Sequence, residues 1–90
     1  MELGRILPEL RNLHTLILRN CNIGSTYASH IFTGLILNTS LETLDLSNNS
    51  VGDIASGSLA NLIRSKQDYV KLNIHLRSNQ ISNAGYEKIK

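Results

Sequence analysis

A twelve-residue motif occurs twice in this chain and constrains its fold more than any other feature of the sequence. The copies span residues 13–24 and 41–52, 28 residues apart, and both follow the pattern L-x-x-L-x-L-x-x-[N/C]-x-[I/V]-G. A weaker third copy begins at Lys71, 30 residues after Leu41, when Asn79 is aligned with Asn49. Repetition at this period is typical of a solenoid, in which each repeat is a short strand followed by a helical return.

Alternating apolar residues in each copy predict a strand with one face in the core. The residues expected to face inward are Leu16 and Leu18, Leu44 and Leu46, and Ile74 and Leu76. Parallel strands need crossover connections, and apolar residues recur at helical spacing between the copies. They are Tyr27, Ile31 and Leu35 in the first connection, and Ala55, Leu59, Leu62 and Ile63 in the second.

The repeats predict one α/β domain over residues 1–90, a short solenoid with a parallel sheet on its concave face and helices on its convex face. Residues 1–12 form a helical half-repeat whose helix Pro8 ends, 13–40 and 41–70 are the first and second repeats, and 71–90 is a partial third repeat. We therefore expect three strands and four short helices, with a longer loop near residues 64–69.

The motif and its period resemble those of leucine-rich repeat proteins, specifically the ribonuclease-inhibitor-like class, over almost the whole chain. The resemblance implies that Cys21, Asn49 and Asn79 turn inward and that each bonds the backbone of a neighbouring loop. It also implies a non-catalytic module that binds a folded protein through its concave sheet and adjoining loops. Some members of this class inhibit an enzyme by covering its active site, so the partner expected here includes enzymes.

The residues predicted to bind a partner point outward from the sheet and form straight rows, because the repeat fixes the register. The rows are Thr15, Thr43 and Asn73; Ile17, Asp45 and His75; and Arg19, Ser47 and Arg77, with Asn20, Asn48 and Ser78 at the rim. The repeat pattern requires none of these side chains. The loop at 64–69 is a second candidate surface.

No pattern of catalytic or metal-binding residues emerges from the sequence. Cys21 with His14, His30 and His75 would be the candidates for a thiol nucleophile or a metal site, but their spacing does not bring them together. We expect Cys21 to be a buried structural thiol, and Asp53 and Asn83 to cap helices. The sequence thus predicts no enzyme activity, no metal and no cofactor.

Charge and cysteine content exclude several other classes. The net charge of +2 comes from scattered basic residues, so we expect neither nucleic-acid nor membrane partners. One cysteine and no apolar leader segment at the start favour a cytoplasmic protein, and the sequons at Asn38 and Asn48 are then coincidental. A pathogen effector delivered into a host-cell cytoplasm is the alternative setting.

Two other functional hypotheses remain open at this stage. One branch of the repeat class activates GTPases, which would make Arg19 or Arg77 a candidate catalytic arginine, although nothing in the sequence identifies either in that role. A purely structural repeat would instead associate with itself through an exposed strand edge.

Overall fold

A computed structural model describes residues 2–66 and 72–82 of the chain. Helices and strands alternate along it. They are α1 (Glu2–Ile6), a 3₁₀ helix (Leu7–Glu9), β1 (Thr15–Ile17), α2 (Ser25–Ile36), β2 (Thr43–Asp45), a second 3₁₀ helix (Asp53–Ala55), α3 (Ser56–Ser65) and β3 (Asn73–His75). Lys71 and the fourth helix expected near the end of the chain lie outside the described residues.

The three strands form one parallel sheet in the order β1-β2-β3. Thr15 pairs with Thr43, and Thr43 pairs with Asn73, so equivalent motif positions lie side by side. The helices pack against the inner face of this sheet and share one apolar core with it. The predicted α/β solenoid, with a parallel sheet on one side and helices on the other, is confirmed.

The core is most deeply buried around the middle strand, because among the described strands only β2 has a neighbour on both sides. Leu44 and Leu46 are 0% exposed, whereas their equivalents in β1 and β3 are only partly buried. Each fully buried leucine contributes ~2 kcal/mol of hydrophobic stabilisation. Much of the burial that holds the sheet to its helices therefore lies in the second repeat.

One sequence-based prediction about the helices is wrong. Tyr27 does not belong to the buried stripe of α2; the residue is 55% exposed, and the stripe instead runs through Ala28, Ile31, Phe32 and Leu35. The α-helix α1 ends at Ile6, two residues before Pro8, and a 3₁₀ helix with Pro8 at its second position follows it. Proline is tolerated there, since the first positions of a helix leave their N–H groups unbonded in any case.

Asn49 joins the first repeat to the second at the C-terminal ends of the strands. Its Oδ1 accepts hydrogen bonds from the N–H groups of Cys21 (3.0 Å) and Ile23 (2.9 Å). Its Nδ2 donates to the carbonyls of Leu18 and Leu46, both at 2.9 Å. This side chain therefore satisfies backbone groups in both loops, as the resemblance implied.

Asn79 repeats the arrangement one unit further along the chain. Its Oδ1 accepts from Val51 N–H at 3.0 Å, and its Nδ2 donates to Leu46 O at 2.8 Å and Leu76 O at 3.1 Å. Cys21, at the equivalent position of the first repeat, does not bond a neighbouring loop in this way. Its predicted burial is also wrong, because the thiol is exposed and donates to the Arg19 carbonyl within its own loop. Cys21 lies in the first strand's loop, and the described chain places no earlier loop against it.

A second set of hydrogen bonds joins the repeats at the opposite end of the strands, and no sequence pattern predicts it. Asn38 is 2% exposed and donates through Nδ2 to the carbonyls of Leu7 (2.7 Å) and Leu10 (3.2 Å). Lys66, 28 residues later, donates through Nζ to the carbonyls of Ile36 and Asn38. Burial lowers the pKa of the Lys66 ammonium below its usual 10.5.

Asp53 has a different role from the helix cap that the sequence suggested. No side chain caps the 3₁₀ helix that begins at Asp53 or the helix α3 that follows it. The Asp53 carboxylate instead accepts hydrogen bonds from the N–H and hydroxyl of Ser82 in the next repeat. Asn83, the other predicted cap, lies outside the described residues.

Ser56 offers a direct test of how the core is packed. Its hydroxyl is fully buried with no hydrogen-bond partner in the described part of the chain, and the equivalent residue 28 positions earlier is the buried Ala28. Because an unsatisfied buried hydroxyl is costly, we expect Ser56→Ala to raise the free energy of unfolding by ~1 kcal/mol. Urea denaturation followed by circular dichroism measures this; a loss of stability would show that the hydroxyl has an unseen partner.

The crossing of α1 over α2 depends on the absence of side chains at two glycines. A Cβ at Gly34 would overlap the Gly4 carbonyl, and one at Gly4 would lie 2.7 Å from the His30 carbonyl oxygen. We expect Gly34→Ala to lower the free energy of unfolding by ~1–3 kcal/mol, since the backbone of α1 must move away.

Gly57 provides the matched control for that substitution. It lies in α3, is exposed, and has nothing within 4 Å of the position of an added Cβ. Gly57→Ala should therefore leave stability unchanged or raise it by up to ~1 kcal/mol, the usual helix preference of alanine over glycine. Equal effects of the two alanine variants in thermal denaturation would contradict the close helix crossing.

Candidate functional site

The outer face of the sheet, meaning the face opposite the helices, brings together all nine residues predicted to bind a partner. The strand register places Thr15, Thr43 and Asn73 in one row and Ile17, Asp45 and His75 in the next. The ladder continues past the strands, where Asn20 N–H donates to Ser47 O at 3.2 Å and Asn48 N–H donates to Arg77 O at 2.8 Å. Arg19, Ser47 and Arg77 therefore form the third row.

Exposure divides these nine residues into two groups. Six are exposed: Thr15, Ile17, Arg19, Asn73, His75 and Arg77. Thr43 and Ser47 are partly buried, whereas Asp45 retains only 9% of its surface. Asp45 is thus an outward-facing carboxylate that its neighbours largely cover, which the alternation of the strand does not predict.

Arg19 and Ser47 hold the Asp45 carboxylate. Arg19 Nε donates to Asp45 Oδ2 at 2.7 Å across the β1–β2 pairing, and Ser47 N–H donates to Asp45 Oδ1 at 3.0 Å. The hydrogen bond from the Ser47 backbone, then the Ser47 hydroxyl and the nearby Arg19 charge, hold the pKa of Asp45 below its usual 3.8, although partial burial opposes them. The pair therefore holds the Arg19 side chain against its neighbouring strand.

A tight turn follows each strand and defines the rim of this face. Asn20, Asn48 and Ser78 occupy equivalent positions there with left-handed backbone angles, φ being 56°, 57° and 60° respectively. Asparagine tolerates this conformation better than most residues with a side chain. The turn redirects the chain straight after the row of Arg19, Ser47 and Arg77, so that row lies at the edge of the sheet.

The ends of the strands and the turn at Asn48 line a shallow open cavity of about 540 Å³. Its lining is mostly polar: Arg19, Asp45, Ser47, Asn48, His75 and Arg77, with Ile74 and Leu76 contributing from β3 and the residue after it. The guanidinium, imidazole and amide groups there are hydrogen-bond donors. The cavity therefore offers a polar surface, rich in donors, to whatever lies against the sheet.

At the start of the strands, two further exposed residues pair with each other. His14 Nδ1 lies 3.2 Å from Glu42 Oε2 and 3.1 Å from the Ser40 carbonyl, and both charged side chains are well exposed. The signal was present in the repeat, because His14 and Glu42 each follow the first leucine of a motif copy.

Other candidate chemistry finds no assembled site within residues 2–66 and 72–82. No group of three or more histidine, cysteine or acidic side chains there could hold a metal ion. Nor is any of the described helices long and apolar enough to cross a membrane. In the second candidate surface, Arg64 donates to Asn61 Oδ1 at 2.6 Å, whereas residues 67–69 are outside the described chain.

Comparison with protein families now adds an independent result. One family model, described as Leucine Rich Repeat, matches residues 12–35, and a second with the same description matches residues 37–55. The two matches identify residues 12–35 and 37–55 as leucine-rich repeats. A comparison with curated proteins found no match. Leucine-rich repeats are typically non-catalytic modules whose repeated sheet provides an extended binding surface for proteins.

The depressed pKa of Asp45 predicts a specific acid sensitivity. A carboxyl group whose pKa is lower in the folded state stabilises the fold above the unfolded-state pKa, and that contribution is lost as pH falls through the folded-state pKa. We therefore expect wild type to exceed Asp45→Asn in free energy of unfolding at pH 6, with the difference shrinking below pH 4. Urea denaturation at several pH values measures it.

Glu9→Gln is the control for this experiment, because it removes an exposed carboxylate in the 3₁₀ helix Leu7–Glu9, outside the sheet. Its stability should follow that of wild type across the same pH range. A constant difference between wild type and Asp45→Asn at all pH values would mean that the charge of Asp45 does not stabilise the leucine-rich repeats.

Proposed function

We propose that this chain is a non-catalytic module that binds a folded protein through the outer face of its sheet and the adjoining turns. One observation carries the proposal: the three-stranded face presents an exposed isoleucine, two arginines and a histidine, none of which belongs to the hydrophobic core. Ile17, the last residue of β1, is 56% exposed, and neither Arg77 nor His75 contributes a side chain to the core.

The way the face is built supports binding rather than chemistry. Its side chains project from paired strands whose loops are tied by Asn49 and Asn79, so little backbone entropy is lost on docking. Arginine and exposed apolar side chains are the groups that dominate affinity in protein interfaces. The surface therefore combines a backbone held by hydrogen bonds with residue types that contribute most to affinity in protein interfaces.

The finer assignment rests on the spacing of the repeats. Pairing of Thr15 with Thr43 sets a 28-residue step, and the twelve-residue α2 fills the return, which supports membership of the ribonuclease-inhibitor-like class. On that basis the partner we propose is an enzyme whose active site the sheet covers and thereby inhibits. We place this interaction in the cytoplasm, either of the cell that makes the protein or of a host cell, because a single exposed cysteine suits a reducing compartment.

Two exposed isoleucines allow a matched test of the proposal. Ile17 lies on the outer face of the sheet, whereas Ile54, 86% exposed, lies in the 3₁₀ helix before α3. We expect Ile17→Glu to weaken partner binding by about tenfold or more, since it places a charge in the centre of the interface, and Ile54→Glu to leave binding unchanged. Affinity capture with quantitative mass spectrometry compares the two variants with wild type.

Circular dichroism of both variants verifies that they are folded before capture. A partner retained by Ile17→Glu and lost with Ile54→Glu would contradict the proposal, because it would place binding on the side of the helices. If a captured partner is an enzyme, its turnover with and without the wild-type chain tests inhibition separately.

A further inference from the structure

Charge is distributed unevenly along the outer face of the sheet. At the start of the strands the exposed His14 and Glu42 lie against each other, 3.2 Å apart. At the opposite end two arginines, Arg19 and Arg77, accompany a single carboxylate, that of Asp45. Among these described residues, the excess of positive charge therefore lies at the end of the face that carries the 540 Å³ cavity.

Asp45 neutralises only part of that excess, because one carboxylate cannot balance two guanidinium groups. Both of its oxygens already accept hydrogen bonds. Arg19 Nε donates to one oxygen and Ser47 N–H to the other. Arg19 thus uses one of its five N–H groups on Asp45, and its terminal nitrogens donate to no residue in the described chain. Arg77 is exposed on the other side of Ser47, and its guanidinium also donates to no residue in the described chain.

The side chains around these two arginines add further donors and leave room for a ligand. His75 is exposed and lies beside Asp45 in the strand register. Ser47 is small, and it separates Arg19 from Arg77 by two strand spacings, ~10 Å. Two long arginine side chains can converge over that distance on one or two carboxylates, for which their planar donor groups are well suited.

We propose that the Arg19–Ser47–Arg77 row is an anionic subsite, which binds aspartate or glutamate carboxylates in an acidic segment of the protein partner. The inference rests on the proposed function and specifies the chemistry of the partner at one end of the face. Asp45 holds Arg19 in place, Arg77 and His75 supply the remaining donors, and Ile17 lies in the next row toward the start of the strands. An acidic segment flanked by an apolar residue fits this order of groups.

A nucleic acid fits the same surface less well. Duplex binding draws on six to ten phosphate contacts in typical cases, whereas this row offers two arginines beside a fixed carboxylate. Carboxylates of a short peptide need only the local donors. We therefore use hexaglutamate as the probe, with hexaglutamine as the neutral peptide control.

The test is a titration of isotopically labelled protein with hexaglutamate, followed by amide chemical shifts in two-dimensional NMR at low salt. We expect saturable shifts centred on Ser47, His75 and Arg77, weaker binding at higher salt, and no comparable shifts with hexaglutamine. Arg77→Gln should weaken hexaglutamate binding by about tenfold, the loss of one charge-assisted contact. Arg64→Gln, which removes an exposed arginine on α3, should leave the affinity unchanged.

The anionic subsite is refuted if hexaglutamate produces no saturable shifts, or if Arg77→Gln and Arg64→Gln weaken binding equally. The comparison of Ile17→Glu with Ile54→Glu then separates this failure from failure of the proposed function. If Ile17→Glu still abolishes partner capture, the outer face binds a protein of other chemistry. If Ile17→Glu has no effect either, both the subsite and the binding face are wrong.

Discussion

The hydrogen bonds of Asn49 are the interaction on which the rest of the structure depends. Each strand is three residues long, so the ladders between strands are too short to fix the loops that follow them. Those loops bury backbone N–H and C=O groups, which are costly to leave without partners. Asn49 satisfies such groups in its own loop and in the loop of the first repeat, and Asn79 does the same one repeat later. The strands therefore leave the sheet in register.

Register at this end of the sheet determines what the outer face can do. Arg19 reaches Asp45 because the first and second strands end level with each other, and Arg77 lies on the far side of Ser47 for the same reason. The opposite end is held separately by Asn38 and Lys66, whose side chains bond the loops that lead into the strands. Because hydrogen bonds hold the backbone at both ends of the face, less conformational entropy is lost when a partner binds it than when binding has to order a mobile surface.

The sequence predicts the strands, their register and the outward rows because two periods coincide there. Alternation assigns each side chain to a face, and the repeat assigns it to a row. Predictions that depended on neighbours outside the motif were less successful. Tyr27 matched helical spacing, but the adjacent Ala28 and Phe32 occupy the space against the core. Cys21 occupies the motif position of Asn49, but its burial would require the loop of a preceding repeat, and the described chain places none against it. Asn38 and Lys66 lie between the motif copies. No sequence pattern there predicts that a polar side chain will hydrogen-bond a neighbouring loop.

Asp45 shows why position on a face does not by itself define a binding residue. It points away from the core, as its place in the strand predicts, but Arg19 and Ser47 occupy its oxygens and leave it 9% exposed. A partner cannot use that carboxylate without breaking the bonds that fix Arg19. Reversing the charge of Asp45 would therefore disturb the face from within, whereas changes at Ile17 or Arg77 remove a side chain that the fold does not use. Specificity at this surface accordingly depends on the exposed residues around Asp45, and Asp45 determines where one of them, Arg19, is held.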